Sequence, residues 1–391
     1  MNGKMQTMGI GFCAALALCG LGCSGPSEEG ETGCEERSGE ACIWAGTGKA
    51  GLNGDDLPRR ETRLYWPIDL DFAPDGTPWV LDWNNHLVRR VTPNGTFETV
   101  VGTFVGDGPP DQMDFVEPGA DGLTVSLNHP TDFQFDTLGN VYFAAWHNHK
   151  IRKIDPTTGM VVVWCGKGAG YAGDGKDAAT ALFNQPKSIV FDSEGALYIL
   201  DQRNWRVRKI SADHMTSTVV GIGMQGFGGD GSAPTEATLN FQAGPNPEPS
   251  GALALSPDGI LYVSDSLNHR IRRIDFAANT IETIAGTGEA GFSGDGGPAV
   301  DAQINNVRDL ELGPDGTRLY LADTENHRIR AIDLSTGTID TVVGTGTLGE
   351  MGDGLPALSV ELNRPFGIAF DASGALYIAD TFNNRILKVP Q

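Results

Sequence analysis

One segment of this chain, Asp-x-x-Asn-x-x-Ile-x-Lys/Arg-Ile with valine variants, recurs six times. Its asparagine falls at positions 85, 148, 204, 268, 326 and 383, a mean spacing of (383 − 85)/5 ≈ 60 residues. Five copies open with Asp82, Asp201, Asp265, Asp323 and Asp380; the second has Ala145 instead. Upstream of each lies a pair of alternating apolar runs around a turn, as in Ile368-Ala369-Phe370-Asp371-Ala372-Ser373-Gly374-Ala375-Leu376-Tyr377-Ile378. Period-two alternation with glycine in the turn is the signature of a β-hairpin. Downstream comes a further strand ending in small residues, such as Val343-Gly344-Thr345-Gly346. A Gly-Asp loop follows, at Asp55, Asp107, Asp174, Asp230, Asp295 and Asp353. Each unit therefore supplies four short strands, and a single four-stranded sheet cannot bury both its apolar faces. A ring of six can. The expected fold is all-β: a six-bladed β-propeller of four-stranded antiparallel blades.

The repeat resembles the NHL repeat, most nearly in Leu319-Tyr320-Leu321-Ala322-Asp323-Thr324-Glu325-Asn326-His327-Arg328-Ile329-Arg330. The glycine-rich connector Ala285-Gly286-Thr287-Gly288-Glu289-Ala290-Gly291-Phe292-Ser293-Gly294-Asp295-Gly296 is similar to that of teneurin-like NHL domains. The resemblance spans nearly all of residues 42–391 and implies a binding or scaffolding module for a protein, glycan or small-molecule ligand. The alternative it implies is a metal-dependent propeller enzyme, a lyase or a lactonase- or esterase-like hydrolase with its site at the channel mouth. The last unit ends at its third strand, Arg385 to Val389, whereas residues 42–48 are an orphan fourth strand. The N-terminal strand should thus close the last blade and leave no large sheet edge there.

Residues 1–22 read as a signal peptide: Lys4, then 14 apolar-rich residues from Met8 to Leu21, too few for the roughly 20 that span a bilayer. Gly22-Cys23 resembles a bacterial lipobox, which implies lipidation of Cys23. Residues 23–41 read as an acidic flexible tether. The implied location is the bacterial cell envelope, lipid-anchored at the outer membrane or cell surface, with secretion as the alternative. Export favours a disulfide, and Cys34 with Cys42 is the better pair, leaving Cys165 a buried thiol. With 28 Lys and Arg against 50 Asp and Glu, the net charge of −22 argues against a nucleic-acid partner.

Strand parity places the Asp-x-x-Asn loops and the Gly-Asp connectors on one face, where recognition is expected. The enlarged connectors, 109–127 and 232–250, lie there too. The repeated aspartates are expected to accept backbone amides. His86, His149, His269 and His327 share one register, which spreads them over separate blades; His129, His147 and His214 lie outside it. Alternate positions of the inner strands carry Asp69 and Asp71, Asp132 and Gln134, and Asp309 and Glu311. Period two puts each pair on one side of its strand, facing the channel. Five carboxylates near one mouth suit a divalent metal, Ca²⁺ above all. Trp83, Trp146 and His147, with Gln134, are the candidate ligand-facing residues.

Overall fold

The computed structural model describes residues 34, 36–103, 116–244 and 247–391. The export segment, Cys23, most of the tether and Asp107 lie outside them. Residues Cys34–Gln391 form one compact unit built of six antiparallel sheets. Blade 3 is typical, with strands Pro186–Phe191, Leu197–Asp201, Arg206–Ile210 and Thr216–Val220. The first strands are Pro67–Phe72, Pro130–Phe135, Pro186–Phe191, Leu253–Leu255, Leu310–Leu312 and Ile368–Phe370. They touch one another in ring order, from blade 6 back to blade 1. Among the described residues the only helical segments are three-residue 3₁₀ turns.

The ring closes by the N-terminal strand. Glu40–Ala45 pairs with Arg385–Val389, Cys42 opposite Lys388 and Ile43 opposite Leu387. Trp44 is buried there, edge-on to Tyr377 at 5.3 Å. Cys34 and Cys42 are joined by a disulfide with a Cα–Cα separation of 5.8 Å, and Cys165 is a buried thiol. Asp353 accepts the Ile43 amide (2.8 Å) and pairs with Arg60 (3.0 Å), which pins the closing strand.

The repeated polar residues knit each blade together. In blade 3, Asp201 accepts the Asn184 amide (2.7 Å), the Asn204 side chain (2.8 Å) and Arg208 (3.4 Å). Arg208, fully buried, also holds Asp174 of the Gly-Asp connector at 2.6 Å. Arg89, Arg272 and Arg330 repeat the pattern with Asp55, Asp230 and Asp295. Asn204 donates to the Gly170 carbonyl of the same connector at 2.7 Å, so loop and connector do share a face. Where blade 2 has Ala145, Asn148 accepts the Asn128 amide instead, at 3.1 Å. Gly344 of the small-residue strand end has φ +104°, and a Cβ there would lie 2.7 Å from the His327 carbonyl oxygen. Only glycine fits.

Candidate functional site

At the loop-bearing mouth, five of the six inner strands are entered through one residue with left-handed backbone: Trp66 (φ 54°), His129 (58°), Gln185 (59°), Asn306 (55°) and Arg364 (50°). Proline follows four of these five, and a residue before proline normally avoids helical dihedrals of either hand. A side chain of the preceding blade fixes the turn. The Trp66 amide donates to Asn384 Oδ1 (3.1 Å), His129 to His86 Nδ1 (3.2 Å), Gln185 to His149 Nδ1 (3.1 Å) and Arg364 to His327 Nδ1 (3.1 Å). The histidine after the repeated asparagine is thus an acceptor that orients the mouth. Strain of this kind, about 1–3 kcal/mol per residue, persists where surroundings over-determine it and gathers at functional sites.

The sequence suggested one acidic pocket with aromatic flanks; the structure has two cavities. The inner one has about 340 Å³ of empty space continuous with solvent. Asp69, Asp71, Asp132, Gln134, Asp309 and Glu311 all line it. Three of these carboxylates also join blades: Asp69 accepts the Phe133 amide (3.3 Å), Asp132 the Ile189 amide (2.8 Å) and Asp309 the Ile368 amide (2.8 Å). Burial, then mutual repulsion, pushes Asp69 and Glu311 well above the usual carboxylate range. Burial likewise raises Asp71 and Asp132 to about 7 and Asp309 to about 6. All five keep partial solvent exposure, so channel water lowers the cost of charging below that of dry burial. The sequence reading missed Lys187. This buried cation donates to the Arg308 carbonyl at 2.8 Å and opposes the upward shifts of Asp69, Asp132 and Asp309.

The outer cavity, about 280 Å³, is lined by Trp66, Ile68, Trp83, Phe366, Thr381, Phe382, Glu248 and Pro249. Trp66 stacks on Phe382 (centroids 4.6 Å, 23° between planes) and faces Trp83 at 6.0 Å. A charged network adjoins this wall, with the Arg364 guanidinium over the Phe382 ring at 4.5 Å. Arg364 binds Glu248 (2.8 Å) and Glu325 (2.6 Å), and fully buried Arg308 binds Glu248 and the Pro249 carbonyl (2.5 Å). Burial raises the Glu248 carboxyl, but hydrogen bonding by Arg364 and the charge of Arg308 outweigh it and hold the group below its usual value. Glu248 comes from the enlarged connector 232–250; part of the other, 109–127, lies outside the described residues. Of the expected ligand-facing residues, Trp83 lines this cavity, whereas Trp146 is buried and donates to Gln202 Oε1 at 3.1 Å. His147 stacks on Trp146 at 4.1 Å. Of the histidines outside the repeat register, His129, from the entry to blade 2, meets His86 of blade 1 at 4.2 Å and His147 at 5.1 Å between centroids. Asp353 also lies close to Cys34 and Cys42, but with both sulfurs tied there is no thiolate to bind a metal.

Fold and mouth together define a six-bladed β-propeller with a recessed, aromatic-walled cavity on its loop-bearing face. The family model described as Teneurin NHL domain matches residues 52–242. SUPPRESSOR OF QUENCHING 1 of Arabidopsis thaliana is 30% identical over 268 residues, covering 66% of this chain and 24% of that protein. NHL repeat-containing protein 2 of Bos taurus is 28% identical over 288 residues, 67% of this chain and 38% of that protein. The chain thus spans well under half the length of these relatives. A crystal structure of an auxiliary nutrient binding protein from Bacteroides thetaiotaomicron superposes with a TM-score of 0.63 at 16% identity, covering 89% of this chain and 75% of that one. This protein is a six-bladed β-propeller whose sequence is similar to NHL-repeat proteins.

Proposed function

We propose that the protein is a binding module that takes one saccharide-like ring in the outer cavity and is tethered to the bacterial cell envelope through Cys23. The carrying observation is that Trp66, Trp83 and Phe382 wall the outer cavity and Glu248 lines it too. A sugar offers an apolar C–H face to an aromatic wall and hydroxyls to a carboxylate, and Glu248 supplies a carboxylate in the lining of this cavity. The nutrient-binding name of the structural neighbour is consistent with ligand capture on this fold. The test is a tryptophan-fluorescence titration with a panel of mono- and disaccharides. At least one should give a saturable change that Trp66→Ala weakens about tenfold or more; an unaltered affinity in Trp66→Ala removes the cavity from the account. Cys23→Ser should move the protein from the membrane to the soluble envelope fraction, and wild type already soluble after export refutes the tether.

A further inference from the structure

In blades 4, 5 and 6 the residue after the repeated aspartate is a buried hydroxyl that clamps the entry of the next inner strand. Ser266 donates to the Val307 carbonyl (2.8 Å), Thr324 to that of Pro365 (2.7 Å) and Thr381 to that of Pro67 (2.8 Å). Each acceptor directly follows a left-handed entry residue. Blade 3 departs from this pattern. Its residue is Gln202, and the strand ahead, Leu253–Leu255 of blade 4, is reached through the enlarged connector 232–250. Gln202 is fully buried, and its amide has four partners. Nε2 donates to the Gln242 carbonyl (3.0 Å) and the Glu248 carbonyl (3.1 Å). Oε1 accepts from the Ser250 amide and the Trp146 indole, both at 3.1 Å. Two carbonyls on one side and two N–H donors on the other admit only this orientation of the amide, and together they use its whole hydrogen-bonding capacity. The Gln242 side chain adds a further tie, accepting the Glu248 amide at 3.4 Å, while its own amide donates to Ser250 Oγ at 3.3 Å.

We propose that Gln202 is the positioning residue of the outer cavity: it fixes the backbone of residues 248–250 and thereby the place from which the Glu248 carboxylate meets a saccharide hydroxyl. This rests on the reading of that cavity as a saccharide site. Gln202 is not part of the cavity lining, whereas Glu248 and Pro249 are. Arg308 and Arg364 hold the carboxylate end of Glu248, with Arg364 at 2.8 Å, and Gln202 holds its backbone end. A group held at both ends is set before the ligand arrives, so less ordering is left to pay on binding. A serine or threonine has one hydrogen to donate and clamps one carbonyl; the two donors and the acceptor of glutamine span the inserted segment. Trp146, expected from the sequence to face a ligand, is instead the support that blade 2 gives to this amide.

The test compares wild type, Gln202→Met, Glu248→Ala and the double variant. Methionine keeps the volume and removes all four bonds. Amide hydrogen exchange is read first, without ligand. The Glu248 and Ser250 amides lie outside every strand, yet in wild type they should exchange slowly. In Gln202→Met they should exchange at least about tenfold faster, with the strand Leu376–Asp380 unchanged. Affinity is then measured for the saccharide that saturates wild-type fluorescence. Gln202→Met should weaken it at least about tenfold in the wild-type background and hardly at all in Glu248→Ala, the coupling expected of a residue that acts through another. An equal loss in both backgrounds is what a merely structural role gives and overturns the proposal, as does unchanged exchange at Glu248 and Ser250. If Gln202→Met does not fold, Gln202→Glu replaces it: it keeps both accepted bonds and can donate at most one hydrogen. Unprotected Glu248 and Ser250 amides in wild type also overturn the proposal. If no saccharide binds wild type, the cavity reading fails; faster exchange confined to residues 248–250 then still supports Gln202 as the residue that places Glu248, and unchanged exchange removes it.

Discussion

Replacing Asp71 by asparagine should stabilise the propeller, and more at high pH than at low. Asp71 suits the test because it joins no blades: its Oδ1 accepts only the adjacent Phe72 amide, at 2.7 Å, and an asparagine Oδ1 can still do so. Burial is the main cause of its raised value, about 7 against an ordinary 3.8, and the charge of Asp309 adds to it. The folded state therefore holds this proton more tightly than the unfolded chain does. Between about pH 4 and 7 the folded form binds more protons, so stability falls as pH rises through that window and is flat above it. At about 1.4 kcal/mol per pKa unit, the shift from 3.8 to about 7 corresponds to a ceiling of roughly 4 kcal/mol at pH 8. At pH 5 only the span from 3.8 counts, roughly 1.5 kcal/mol. Channel water trims both figures but not their order. Urea unfolding at pH 5 and pH 8, with equal m-values, gives the comparison directly. The variant should gain at least about 1 kcal/mol more over wild type at pH 8 than at pH 5. An equal gain at both pH values, or a loss at pH 8, would show that the carboxylates are not crowded as described.

Ca²⁺ can relieve the same repulsion. Added at pH 8 it should raise the melting temperature of wild type and do so less in Asp71→Asn/Glu311→Gln; no shift in wild type rejects the calcium reading. Arg272→Met strips the partner from buried Asp265, 3.1 Å away, and should cost about 3–5 kcal/mol in chemical unfolding, much of it restored by adding Asp265→Asn. Trp44→Ala hollows the closing blade and should cost about 3–5 kcal/mol, with the loss read as an earlier thermal transition; an unchanged melt would mean that the N-terminal strand adds little to closure.

The blade count, the closing strand and the acidic lining were legible because each follows from periodicity: six asparagines at a nearly regular spacing, a leftover strand at one end, and alternate residues on one side of a strand. The mouth was not. Trp66, His129 and Arg364 lie at it because a left-handed residue enters five of the six inner strands, and no part of the repeated motif marks that position. The signal was present as a residue followed by proline just ahead of the strand, at Trp66-Pro67, His129-Pro130, Gln185-Pro186 and Arg364-Pro365. Glu248 was hidden because a connector's length does not say where it lands. Lys187 was hidden because it lies one residue off the channel-facing register, from which a long side chain can still reach the axis. The contact of His129 with His86 was hidden because the entry of blade 2 packs on the loop of blade 1, which the repeat register does not show.

The central claim is that ligand is held against the aromatic wall of the loop-bearing mouth. A crystal structure of the full chain with a saccharide that saturates its fluorescence tests this most directly. The expected result is a sugar ring in the outer cavity, in contact with Trp66, Trp83 and Phe382 and with a hydroxyl hydrogen-bonded to Glu248. A sugar bound instead on the outer strands or the opposite face, with the outer cavity unchanged, would contradict it.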